Sequence, residues 1–371
     1  MPARNRLTLV GLLLSAVTAT AQTGDEDVLK TLKARKVAVE RDGPDGERVY
    51  VTVGRSNTAD DLRLVGGCRG LYELAALGVA ATDADLTVAL AGSAKSLRSL
   101  GFEGAPFTDR VMPAVAGLTG LESLHIGRCK VTNAGLSHVG ALPALRWVKL
   151  EGEAFTDDGL RHLARLPNLR GVTLTQTRVT GTGFAALADS KTLWYVKIKG
   201  SVGRQVKVTE AGLRAVGACK GLTELWFEHA LVPDAGLAHL AELPRLEELV
   251  LKGCAVGDAG VKHVARSQTM RLDLTESTVG DAGMKHVARS RVMVLDLTDT
   301  MVGDTGMKHL AACPSLGVVR ARRTPVTDAG LAALAACERL RTVDVSGSKV
   351  TPAGVAAFEE ARPGCRVITD R

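Results

Sequence analysis

Aromatic side chains are scarce in this chain: six Phe, three Trp and three Tyr among 371 residues, or 3%. Any ring that stands on an outward face therefore carries weight. Beyond residue 21, no apolar run reaches the roughly 20 residues that a membrane-spanning helix needs. No zincin, P-loop or nucleophile-elbow signature is present. Gly181-Thr182-Gly183-Phe184-Ala185-Ala186 matches a dinucleotide fingerprint only loosely and lacks a preceding βαβ context. No catalytic residue, metal or cofactor is expected, and the chain reads as a non-enzyme. The formal charge of +7 falls to +5 once Arg4 and Arg6 leave with a leader. That mild excess permits an anionic partner without demanding one, and nucleic acid is not expected.

What the chain does have is repetition. Val131-Thr132-Asn133-Ala134-Gly135-Leu136, Val232-Pro233-Asp234-Ala235-Gly236-Leu237 and Val326-Thr327-Asp328-Ala329-Gly330-Leu331 are the clearest of about thirteen copies spaced about 24 residues apart. In the copy from Val326, Asp328 reads as the N-cap of its own helix. Leu331 and Leu334 share one helix face. Leu340, Val343 and Val345 alternate as a strand does, with Thr342 and Asp344 on the other face. One short helix and one strand cannot bury their own apolar stripe, so neighbouring units must stack. The expected fold is α/β: a horseshoe solenoid with a parallel concave sheet and short convex helices.

These residues resemble leucine-rich repeats, and specifically the cysteine-containing subfamily. The subfamily pattern places Cys68, Cys219, Cys313 and Cys337 just before a strand, and Cys129 and Cys254 just after one. The resemblance covers residues 57–371, about five-sixths of the chain. The chain is also similar to exported bacterial repeat proteins. Eukaryotic relatives in ubiquitin ligases carry an F-box, for which the stretch before Asn57 offers no room, so that role is not carried over. The resemblance implies that six of the seven cysteines are buried as small apolar residues. Cys313 and Cys337 are equivalent in adjacent coils, yet packed helices lie about 8–10 Å apart, beyond the roughly 7 Å that a disulfide tolerates. Most of the thiols are therefore expected to be free, with Cys365 the least constrained.

Residues 1–21 read as a secretory signal peptide: Arg4 and Arg6, an apolar stretch from Leu7 to Val17, then Ala19-Thr20-Ala21. No Cys follows for a lipid anchor. An exported protein without a membrane span, monomeric, is the expectation. Residues 22–56 read as a cap, with a helix over Glu26 to Lys33 and a hairpin turning at Gly43-Pro44-Asp45-Gly46.

Sites are sought where the copies disagree. His138, His162, His239, His263, His286 and His309 recur at one helix position and read as solvated repeat residues. On the sheet, the outward set runs through His125, Trp147 and Lys149, Thr173 and Thr175, Tyr195, Lys197 and Lys199, Glu224, Trp226 and Glu228, then Glu248 and Lys252. Two Trp and one Tyr within four coils, rimmed by Lys149, Lys197 and Lys199, suggest a patch for a protein or glycan. The copy from Val179 to Lys207 is the longest, and its extra loop, Gly200 to Lys207, adds Arg204. The alternative is that the rings only pack on their neighbours. Further on, two near-identical 23-residue copies put Asp273 and Asp296 side by side. They read as part of an ion-pair ladder, Asp296–Arg320–Asp344, or as a Ca²⁺ or acidic pair. Lys262, Arg266, Lys285, Arg289 and Lys308 line the opposite face, which reads as a solvated surface or as a polyanion-binding face of an envelope component. Ala76 and Ala321 fall where a large strand residue is expected, so the core should thin there.

Overall fold

The computed structural model describes residues 22–43 and 46–370. The signal-peptide reading, and Pro44 and Asp45 of the hairpin turn, fall outside them. The chain divides into two compact units at the Lys149/Leu150 bond, with Arg165–Asn168 belonging to the first unit.

In the first unit, helix Gln22–Ala34 precedes an antiparallel hairpin, Ala38–Asp42 with Arg48–Val53. Leu29, Leu32 and Val37 bury the helix and its exit. Strand Arg48–Val53 then pairs in parallel with Leu71–Leu77, followed by Ser99–Glu103 and Ser123–Gly127. Helices Ala59–Val65 and Asp83–Leu90 open with reciprocal capping boxes, Thr58 with Asp61 and Thr82 with Asp85. The Ala76 gap is filled from the next coil. Its register partner is Phe102, fully buried and edge-on to Phe107 at 5.7 Å.

In the second unit, strands Gly171–Thr175, Tyr195–Lys199, Glu224–Glu228, Glu248–Val250, Arg271–Asp273, Val294–Asp296, Val318–Arg320, Thr342–Asp344 and Arg366–Ile368 are all parallel. Strand Glu224–Glu228 alternates inward and outward residues: Leu225 and Phe227 are fully buried, while Glu224, Trp226 and Glu228 face out, half-buried. The helices, among them Asp258–Val264, Asp281–Val287 and Asp304–Leu310, pack on one another along the other side of the core. This is an α/β leucine-rich-repeat solenoid.

The acidic residue at each helix start works differently from the expectation of a cap on its own helix. Thr327 holds the N-cap, and Asp328 is already the first helical residue. The Asp carboxylate instead reaches across to the following coil. Asp304 accepts from the Thr327 backbone N–H at 2.8 Å and its hydroxyl at 2.7 Å. Asp281 accepts from Gly303 and Gly306, and Asp157 from Thr180, Gly181 and Gly183. Asp109 does the same for Thr132 and Gly135 within the first unit. The unsatisfied N–H groups at each helix start are thus met by a neighbour's charge. In the second unit this explains the Gly two residues after Asp281, Asp304 and Asp328. A Cβ on Gly306 would stand 2.6 Å from Asp281 Oδ1, and one on Gly330 would stand 2.4 Å from Asp304 Oδ1. Gly181, in the loose dinucleotide match, has φ of +99°, and a Cβ there would meet Gly212 Cα at 2.9 Å. Close approach of two coils accounts for it.

Two 23-residue coils carry a polar core. Ser267 and Thr269 are buried where the preceding coil has Leu243 and Leu246, and Ser290 is buried one coil on. Ser267 Oγ donates to Thr269 Oγ1 at 2.7 Å, and Ser290 Oγ to the Val287 carbonyl at 2.7 Å. Their hydroxyls satisfy each other or the backbone, so the shortened turn closes without a large apolar residue.

Among the seven cysteines, all except Cys129 are buried. Cys365 is therefore less free than its terminal position suggested, and Cys129 is the half-exposed one. Burial pushes the Cys219 and Cys254 thiols up to about 12. In a native titration with Ellman's reagent, at most one thiol should react quickly, and Cys129→Ser should abolish that phase. The other six should react only on unfolding. Two or more fast thiols in the native protein would contradict this packing.

Candidate functional site

Outward side chains of the second unit's sheet stack in columns, because parallel register places equivalent residues side by side. One column runs Thr173, Lys197, Trp226, Val250, Asp273, Asp296, Arg320, Asp344. A second runs Tyr195, Glu224, Glu248, Arg271.

Tyr195, Lys197, Lys199 and Trp226 are brought together. The Tyr195 and Trp226 rings lie 6.0 Å apart in a tilted edge arrangement, with Trp194 against Tyr195 at 5.9 Å. Lys197 Nζ sits over the Trp226 ring at 4.7 Å, within cation–π range. The lysines do not form a free basic rim. Glu228 accepts from Lys197 at 2.6 Å and faces Lys199 Nζ at 3.2 Å. Only 17% of the Lys197 side chain and 14% of the Glu228 side chain are exposed. Burial raises the Glu228 carboxyl, but the two ammonium groups outweigh it and hold it below the usual range. Tyr195 is pushed up to about 12 by burial and by the charges of Glu224 and Glu228. The sequence places Glu228 on the outward face without pairing it, and register sets it beside Lys199.

Replacing Glu228 by Gln should cost about 1–3 kcal/mol, because it strands a largely buried ammonium. A depressed carboxyl stabilises above its unfolded pKa and loses that stability as pH falls through its folded pKa. The cost should therefore be full at neutral pH and vanish below the carboxylate range, as read by urea unfolding at several pH values. An equal cost in acid would contradict the pairing.

Beside Trp226 a groove of about 130 Å³ runs along the sheet, lined among others by Glu248, Lys252, Arg271, Asp273, Asp296 and Arg320. Among the described residues no acceptor reaches the buried indole N–H of Trp226. Asp273 is raised by burial and by the adjacent Asp296, and Glu224 by burial and by Glu248. Arg320 lies 3.7 Å from Asp296, which forms the first rung of the expected ladder. The second rung differs: Asp344 faces Arg322 at 4.0 Å. Asp273 and Asp296 each also accept from the backbone N–H two residues on, Thr275 and Thr298.

Arg204 is not part of this cluster. The extra loop folds back through a small parallel pair, Val206–Lys207 with Ala230–Leu231, and Arg204 pairs with Glu153. It lines a separate hollow with Gln176, Arg178 and Lys207, which shares no residue with the groove. Trp147 and Lys149 lie in the first unit, where Trp147 is 37% exposed. Burial, with the charge of Lys149 adding to it, lowers His125 to about 4. The repeat histidines are mostly half-buried, with His138 exposed.

The geometry is that of a repeat scaffold with decorated faces, and comparisons with known proteins agree. A family model described as Leucine Rich repeat matches residues 243–265. A search of curated proteins found no match. Among solved structures, the chain is similar to an internalin from Listeria monocytogenes, with 16% identity and a TM-score of 0.53. The likeness covers 86% of this chain and 94% of that one. At that identity the likeness is one of fold. No helix among the described residues is long and apolar enough to cross a membrane.

Proposed function

We propose that this protein is a non-catalytic, exported binding scaffold that recognises a protein or glycan through the outward face of its sheet. The observation that carries the reading is the Tyr195–Trp226–Lys197 cluster beside the groove, in a chain with three tryptophans in all. Half-buried rings that are already held rigid lose little entropy on binding, and such residues dominate interface energetics. The buried Trp226 N–H adds a donor that no described residue accepts from, a deficit of about 1–3 kcal/mol that a ligand carbonyl or hydroxyl would relieve. The fold supports the reading, since repeat solenoids present extended surfaces to partners. Trp147 and Lys149, on the first unit, and Arg204, at its separate hollow, are proposed as further contacts, and the protein is proposed to act as a monomer. Capture of partners from the protein's own cell envelope on residues 22–371, with and without Trp226→Ala, tests it. A specific partner lost with the variant supports the sheet face, and a partner retained in full overturns it.

A further inference from the structure

A second surface, on the opposite side of the second unit, carries charge that the fold itself does not use. Helices Asp258–Val264, Asp281–Val287 and Asp304–Leu310 expose Lys262, Lys285 and Lys308 in their last turns, and the chain leaving the first two helices exposes Arg266, Arg289 and Arg291. Part of this has a plain cause. A helix C-terminus carries about half a negative charge, so three of them call for roughly 1.5 positive charges. Six cations exceed that severalfold. Several arginines elsewhere are matched across coils: Arg63 with Asp85, Arg146 with Glu122, Arg271 with Glu248 and Arg323 with Asp299. Among the described residues no carboxylate lies within ion-pairing distance of any of these six. Arg291 donates instead to the Gln268 amide at 2.7 Å. Glu242 lines a neighbouring hollow with His263 and Arg266 and makes no ion pair there.

The surface is also recessed. A hollow of about 470 Å³ lies between the first two helices, lined by Lys262, Arg266, Arg289 and Arg291, with Ser267 and Ser290 in its wall. Its position coincides with the two 23-residue coils, where serines replace large apolar residues and the turn after the helix is one residue shorter. Shortening and charge therefore fall on the same coils. The repeated Lys and Arg positions carry the charge on from one coil to the next.

We infer that this recess and its flanking lysines bind a linear acidic polysaccharide, one anionic group entering the hollow and its neighbours meeting the cations of adjacent coils. The chemistry favours this occupant over two others. A bilayer surface is flat and is usually gripped by apolar side chains as well as by charge. The exposed large apolar residues of the protein, such as Met301, Val202 and Leu77, are not among those lining this hollow. Single-stranded nucleic acid is held by aromatic stacking platforms, and no Phe, Tyr or Trp lines the hollow, whose one ring is the half-buried imidazole of His286. The inference is separate from the sheet-face reading and stands or falls without it.

The test uses fluorescently labelled dextran sulfate fragments and residues 22–371, read by anisotropy at low salt. The quadruple variant K262Q/R266Q/K285Q/R289Q should lose at least about tenfold in affinity and should show a shallower salt dependence, because fewer counterions are released. A control that removes the same charge from exposed positions elsewhere, K95Q/R110Q/R161Q/R214Q, should lose less than about twofold. Gln keeps helix propensity, and unchanged circular dichroism and melting temperature show that the variant is folded. An equal loss in the control would overturn the inference, because binding would then follow net charge. So would an absence of dextran sulfate binding by the unaltered protein. Tighter binding to phosphatidylglycerol vesicles or to DNA than to dextran sulfate would overturn the choice of occupant.

Discussion

Replacing Asp281 by Ala should destabilise the protein by about 2–4 kcal/mol, a large effect for a half-buried polar residue near the surface of a repeat. The carboxylate serves the coil that follows its own, accepting from Gly303 at 2.7 Å and Gly306 at 2.9 Å. Its loss leaves that helix start without an acceptor and weakens the interface between neighbours on which a solenoid's stability depends. Gly306→Ala should do comparable damage with the carboxylate still present, since the new Cβ would stand 2.6 Å from Asp281 Oδ1 and 2.5 Å from a Val302 methyl. Because both changes break one contact, the double variant should cost clearly less than the two singles combined. Thr305→Ala, exposed on the same turn, should be nearly neutral. Chemical denaturation of the four variants reads the whole cycle, and additive costs would show that Asp281 and Gly306 act independently. Acid should report on the same device. Burial raises Asp157 and Asp304, but hydrogen bonds from Gly183, Thr180 and Thr327 outweigh it and hold both low. Depressed carboxyls contribute stability above their unfolded pKa and lose it as pH falls through the folded one, so stability should decline below the ordinary carboxylate range.

The second large effect is expected at the sheet face. Tyr195→Ala combined with Trp226→Ala should weaken binding of the captured partner by about 30-fold or more, equivalent to at least about 2 kcal/mol. The two rings touch each other, so each single variant should account for much of the loss and the combination should be less than additive. Lys199→Ala, at the rim and already matched by Glu228, should change affinity by less than about threefold. A strong effect at Lys199 with a weak one at Trp226 would move the contact from the rings to the charge.

How much of this could be read from the sequence differs by level. The fixed period and the alternation of Leu225 and Phe227 with Glu224, Trp226 and Glu228 are local patterns, so coil, core face and outward face could be placed in advance. Partners across coils could not. Asp328 reads as a cap on its own helix because that is the usual use of Asp before an apolar run. Its true acceptor role depends on how far the next coil is displaced, which no local pattern encodes. Likewise Lys197 and Lys199 read as a basic rim until register brings Glu228 beside them, and Asp344 turns to Arg322 because that side chain, not Arg320, comes within reach. Arg204 reads as part of the aromatic patch from its place in the sequence, yet the side chain pairs with Glu153.

The central claim is that the sheet face of the second unit is where a partner binds. A photo-crosslinking residue placed in turn at Glu224 and Glu248 on that face, and at Ala282 and Thr305 on the exposed helix side, tests it most directly in the cells that make the protein. The account predicts one discrete adduct from positions 224 and 248 that does not form from 282 and 305, where any acidic polysaccharide adduct would be a different species. The same adduct from the helix side alone, with the sheet positions silent, would contradict it.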